Sequence, residues 1–231
     1  MLMDSVQVKA LALEIGFDKV GIVGPQTAPG APAWTQSVLV LGLATLDEAF
    51  DYEIYIAYDG HRRWHKFIYE VLEAKGARLS NRLRAAGLRA DHLLFDDSIS
   101  VIDLREAAVA AGLGVKGING LVLSPEYGPR IRFTSVFVDA EWTRDAPLGD
   151  YYCLNCTRCW GACPTGAIGP PGFDRSLCLA EFNPMPELAA RQREMQNYPT
   201  PVTRLQCVRC ITSCPINSRR AVEMWLDVRD N

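Results

Sequence analysis

Apolar residues recur at helical spacing over residues 5–15, where Val6, Ala10, Leu13 and Ile15 fall near one face. Asp4 is placed to cap the start of that helix and Gly16 to stop it. Two short apolar runs, 20–23 and 37–43, predict buried strands, and the Pro-, Gly- and Ala-rich stretch 24–33 joins them as a loop. Helical spacing returns over 61–86, with Trp64, Phe67, Ile68, Val71, Leu72, Leu79 and Leu83 on one stripe. Arg62, Arg63, Arg78, Arg82 and Arg84 lie mostly off that stripe and read as a solvated face. A further helix is predicted over 102–111, with Asp103 near its start and Gly112 just past its end. Strand-like runs follow at 120–123 and 131–138, the second alternating less cleanly than an edge strand would. Helices interleaved with four or five strands predict a layered α/β or α+β domain.

Within this pattern, "GLGVKGING" (112–120) contains a literal G-x-G-x-x-G at Gly112, Gly114 and Gly117. A dinucleotide-binding loop needs strand, glycine turn and helix in that order, so that the pyrophosphate meets a helix N-terminus. Here a helix precedes the glycines and β-like residues follow them. The order is inverted, and the Rossmann reading fails. Four glycines in nine residues still permit close approach of backbone to another body: either a helix cap with a tight turn, or a flat or phosphate-bearing cofactor.

The chain has 231 residues, a net charge of −3 and eight cysteines. That charge argues against broad electrostatic capture of nucleic acid. The N-terminus carries no recognisable export signal and no apolar run is long enough to span a bilayer, so a cytoplasmic protein is expected, with no membrane contact. Cytosolic cysteines point to metal or redox chemistry rather than disulfides. All eight lie between residues 153 and 214, which divides the chain near residue 150.

Cys153-x2-Cys156-x2-Cys159-x3-Cys163-Pro164 is the run found in bacterial ferredoxins, in which three close thiolates grip one cubane and the fourth reaches a different cluster. A structural zinc site would be satisfied by four cysteines in paired knuckles instead. A second run, Cys207-x2-Cys210-x3-Cys214-Pro215, repeats the last three positions, with Arg204 where its first cysteine would stand. Cys178, otherwise unassigned, supplies the eighth ligand. By the crossing rule one [4Fe-4S] cluster takes Cys153, Cys156, Cys159 and Cys214, and the other takes Cys163, Cys178, Cys207 and Cys210.

"LALEIGFDKVGIV", "AGLGVKGINGLVLSPEYGPRIRF", "CLNCTRCWGACPTGAI", "FDRSLC" and "CVRCITSCP" together resemble the epoxyqueuosine reductases and their relatives, the reductive dehalogenases. The resemblance implies an α+β (α/β layered) protein. A nitroreductase-like α/β cofactor-binding domain over 1–148 would be followed by a double [4Fe-4S] ferredoxin-like domain over 149–231. It further implies cobalamin in the first domain, lined by Gly112, Leu113, Gly114, Gly117, Asn119 and Gly120, with Lys116 offsetting charge; FMN is the alternative occupant. The implied partner is a soluble low-potential electron donor of ferredoxin or flavodoxin type. The proposed proton donor of the queuosine enzymes falls in register near Ser98, which makes Asp97 the candidate acid. "Asp59-Gly-His61" imitates the start of a D-x-H-x-x-G corrinoid motif, but Trp64 stands where glycine is needed. No counterpart of the helical-repeat tail that helps grip tRNA follows Pro215, which leaves tRNA binding in doubt. The substrate is open, and a second reading is an electron-transfer protein without a corrinoid.

Overall fold

The computed structural model describes residues 3–58, 60–149, 153–170 and 172–217, and the side chains of Tyr58, His61, Arg62, Asp96 and Asp97 lie outside that description. The first helix, α1 (Ser5–Glu14), begins as its sequence dictates. The Asp4 carboxylate accepts from the backbone N–H groups of Val6 and Gln7 at 2.9 and 2.8 Å, and the Gln7 side chain accepts from Asp4 N–H at 3.0 Å. This reciprocal capping box satisfies donors that the helix itself cannot.

The strands β1 (Lys19–Val23), β2 (Ser37–Ala44), β8 (Ile131–Val138) and β5 (Ala90–His92) form one antiparallel sheet in the order β1-β2-β8-β5. Leu39, Leu41, Val136 and Val138 pack on one face against α1 and α2 (Phe67–Ala85), through Val8, Leu11, Ile68, Leu72, Leu79 and Leu83. Val38, Val40, Phe133 and Phe137 pack on the other face, with Ala107 and Ala108 of α4 (Leu104–Ala110). A sheet covered on both faces explains why the run 37–43 is continuously apolar and why 131–138 does not alternate. β8 is internal, not an edge.

Sequence and structure part at residues 52–66. β3 (Tyr52–Tyr58) and β4 (His61–Lys66) form an antiparallel pair, with Tyr55 opposite Trp64 and Glu53 opposite Lys66, and α2 begins only at Phe67. Trp64 sits three and four positions before Phe67 and Ile68, a spacing that fits a helix face. A strand leading into the helix places the same residues, and the alternation of Tyr52, Ile54 and Ile56 supports pairing instead. Trp64 is buried against Tyr55 and Tyr198 rather than in the helical stripe.

The later half contributes a third strand to this pair. β11 (Thr203–Leu205) lies on the other edge of β3, with Arg204 directly opposite Glu53. Short α3 (Phe95–Val101) precedes α4, and the paired β6 (Val115–Lys116) and β7 (Val122–Leu123) follow it. Beyond residue 150 come α5 (Arg158–Ala162), the paired β9 (Ile168–Gly169) and β10 (Gly172–Phe173), α6 (Pro186–Met195) and α7 (Arg209–Thr212). α5 packs on α7. Among the described residues no helix is long and apolar enough to cross a membrane.

Candidate functional site

The eight cysteines fall into two groups of four. Cys153, Cys156, Cys159 and Cys214 line one small cavity together with Leu154, Pro215, Asn119 and Leu123. The loop that turns three of these sulfurs inward is strained: Asn155 and Thr157 hold φ of 49° and 56°. Asn tolerates the left-handed region, but β-branched Thr adopts it only when its surroundings impose it. Burial raises the pKa of the Cys159 thiol, and the neighbouring sulfurs of Cys214, Cys153 and Cys156 add to the rise.

Cys163, Cys178, Cys207 and Cys210 form the second group. Burial pushes the Cys210 thiol up to about 12, with further contributions from Cys178, Cys207 and Cys163. Cys178 and Cys207 are also raised, again chiefly by burial, while the Lys66 ammonium acts against the rise at both. Cys163 goes the other way. Burial would raise it, but hydrogen bonds from the backbone and hydroxyl of Thr165 and from the Ile168 and Ala167 backbone hold it below its usual value. Thiols with raised pKa values bind metal only on losing a proton, so such ligand sets release protons on loading. Two sets of four thiolates match the donor chemistry of two four-iron clusters, and the division is the one the crossing rule predicts.

Cys178, Cys207 and Cys210 open on a cavity of about 370 Å³ that lies between the two halves of the chain. This is in the lower part of the range for small-molecule and cofactor sites. Its walls are aromatic and aliphatic. Tyr69 and Phe95 stack with ring centroids 3.6 Å apart, Phe182 meets Phe95 edge-on at 5.8 Å, and Phe133, Phe173, Ile99 and Ile102 complete the lining. Polar groups sit among them, including Lys66, Arg132, Asn119 and the Arg175–Glu181 ion pair. Such walls fit one face of a flat, largely apolar ring system, with the polar groups placed for its substituents.

A buried network of charges flanks the second group. Arg204 is fully buried. It donates to Glu53 Oε2 at 2.5 Å, to Gln192 Oε1 at 2.6 Å and to the Glu181 carbonyl at 2.9 Å, and its guanidinium lies 4.2 Å above the Trp64 ring. Lys66 Nζ stands 3.0 Å from the other Glu53 oxygen and donates to Gln206 Oε1 at 2.7 Å and to the Ala180 carbonyl at 3.1 Å. Gln206 in turn donates to Asp51, which Arg130 also binds at 2.7 Å. Sequence reasoning passed over this network. Its one visible signal was a charged residue, Arg204, at a cysteine position.

The predicted cofactor loop is a tight turn packed on protein. Gly112 has φ +68°, and a Cβ there would meet the Ala146 carbonyl oxygen at 2.4 Å; a Cβ on Gly114 would meet that of Leu123 at 2.4 Å. Leu113 is core, Gly117 N–H donates to Leu121, and exposed Lys116 pairs with Glu106. Gly120, at φ +74°, backs onto Phe173 of the larger cavity. Asn119 alone among these residues lines the larger cavity, and it also lines the smaller one, so it stands in the wall between the two cysteine groups. The side chain of Asp97 lies outside the described residues, as does that of His61; α3, which carries Asp97, supplies Phe95, Ser98 and Ile99 to the larger cavity.

No family model matches the chain. The epoxyqueuosine reductase of Burkholderia pseudomallei (strain K96243) is 33% identical over 128 residues, which cover 52% of this chain and 30% of that protein. The chain thus spans about a third of the length of the curated relatives it matches. Among solved structures, an epoxyqueuosine reductase superposes with a TM-score of 0.67 at 21% identity, covering 93% of this chain and 66% of that one. A reductive dehalogenase whose structure is described as suggesting a mechanism for B12-dependent dehalogenation superposes at 0.60 and 22% identity, over 97% of this chain and 34% of that one. With a mixed α/β fold and similarity to both kinds of enzyme, the chain is an epoxyqueuosine reductase/reductive dehalogenase-like protein.

Proposed function

We propose that this protein is an iron–sulfur reductase that passes single electrons through two [4Fe-4S] clusters to a corrinoid, for low-potential reduction of a substrate held in the larger cavity. The observation that carries the proposal is the second cysteine group opening on that cavity. Cys153, Cys156, Cys159 and Cys214 would hold one cluster, and Cys163, Cys178, Cys207 and Cys210 the other. The first group lies nearer solvent, with Cys156 and Leu154 exposed, and would receive electrons from a soluble low-potential donor of ferredoxin or flavodoxin type. A corrinoid bound in the cavity would supply the reductive chemistry at its cobalt.

The chain's own residues would orient and shield that chemistry. Phe95, Phe182 and Phe173 would exclude water, Asn119 and Gly120 would bring the turn between β6 and β7 against the cofactor, and Asp97 on α3 would supply a proton. Gly112, Leu113, Gly114, Lys116 and Gly117 would act one layer behind, by fixing that turn. The cytoplasm would provide the reducing surroundings that such thiolates need.

Anaerobic reconstitution with iron, sulfide and cobalamin tests this reading. It predicts about eight irons per chain and a corrinoid spectrum that stays with the protein through gel filtration. Eight irons without cobalamin uptake would leave an electron carrier and end the corrinoid claim. FMN stays the second reading because the cavity volume suits a smaller ring; the same reconstitution with FMN separates the two.

A further inference from the structure

We propose that Lys66 sets the reduction potential of the cluster held by the second cysteine group, raising it through a buried positive charge shared with Arg204. The inference rests on the reading of Cys163, Cys178, Cys207 and Cys210 as cluster ligands. Lys66 ends a strand of the first half of the chain, yet its ammonium reaches into the cysteine-bearing half. Two of its three acceptors are chain neighbours of those ligands: Gln206 adjoins Cys207, and Ala180 lies two residues beyond Cys178. The third acceptor, Glu53, is already bound by Arg204. One buried carboxylate therefore faces two cations, which leaves a net charge of one positive beside four thiolates.

Each one-electron reduction adds a negative charge to the cluster without making or breaking a bond. A cation fixed nearby and poorly screened by water favours that step. The field of Lys66 reaches Cys178 and Cys207 alike. Because Lys66 also lines the larger cavity, the same charge lies between the cluster and whatever the cavity holds.

The test is a mediated redox titration, followed by electron paramagnetic resonance, of the full chain reconstituted anaerobically with iron and sulfide. Wild-type protein with four irons or none would defeat the cluster reading itself, before Lys66 is in question. Given both clusters, Lys66→Gln lowers one midpoint by about tenfold in the reduction equilibrium, about 59 mV for one electron, and leaves the other unmoved. Lys66→Arg keeps the charge and stays within half that shift. Cys178→Ser, which removes the second cluster, identifies which midpoint belongs to it. Unmoved midpoints in Lys66→Gln overturn the proposal. So does loss of the second cluster in Lys66→Gln, because Lys66 is then only a strut for the two loops.

Discussion

Arg204 Nε stands 2.5 Å from Glu53 Oε2, with both side chains fully buried and directly opposed across β11 and β3. Arg204 occupies the place where a repeated ferredoxin run would carry a cysteine, so a ligand position has become a lock between the two halves of the chain. Removing one partner of such a pair strands a buried charge. Arg204→Met is therefore expected to cost about 3–5 kcal/mol, roughly 6–20 °C in melting temperature for a chain of this size. A melt of the anaerobic protein that falls by less than about 3 °C would show that Lys66 alone satisfies Glu53.

The same substitution of roles predicts how iron is lost. Cys178→Ser should keep the first group intact and retain about four of eight irons, measured by iron assay after reconstitution. Adding Arg204→Cys to that variant should not restore the missing four, because the side chain at 204 faces Glu53, Gln192 and Trp64 rather than the other thiols. Full iron content in the single variant would refute the partition of the cysteines.

Gly112 and Gly120 look alike in sequence and differ in what lies behind them. Both hold positive φ, so alanine at either costs about 1–2 kcal/mol in backbone strain alone. A Cβ at Gly112 meets the Ala146 carbonyl oxygen, whereas one at Gly120 meets the Phe173 ring at 3.2 Å. Gly120→Ala should therefore shift a cavity wall and weaken cofactor uptake several-fold, while Gly112→Ala lowers stability and leaves uptake per folded protein unchanged. Absorbance titration with cobalamin or FMN compares them, and equal effects would remove Phe173 from the site.

Much of this was legible in advance, for identifiable reasons. Cysteine spacing is dictated by cluster geometry, so eight residues announce two groups and even the crossing of Cys163 and Cys214. The continuous apolar runs around Leu39 and Val136 announce a sheet covered on both sides. The pair formed by β3 and β4 was hidden because Trp64 satisfies a helical spacing as well as an alternating one. The larger cavity was hidden for another reason: Phe95, Phe173 and Phe182 come from three separate segments, and local pattern carries no record of such convergence. Lys66 and Glu53 looked like ordinary surface charges, since burial of a charge depends on partners 114 and 151 residues away.

Glu181 provides a pH-dependent readout of the cavity rim. Burial alone would raise its carboxyl above the ordinary 4.5, but hydrogen bonds from Arg175 and from the Asn183 and Phe182 backbone outweigh burial and hold it lower. A depressed folded-state value means that the carboxylate contributes stability above pH 4.5 and that this contribution is lost as pH falls through the folded value. Glu181→Gln keeps the backbone carbonyl that binds Arg204 and Gln192 but removes the charge facing Arg175. The variant should melt below wild type near neutral pH, and the gap should close as the pH drops below 4.5. Taking the difference between the two proteins at each pH cancels acid sensitivity common to both, including that of the cysteine groups. A gap that stays constant from neutral pH down to about pH 3.5 would mean that Glu181 acts through packing, because only the ionised form gains from Arg175.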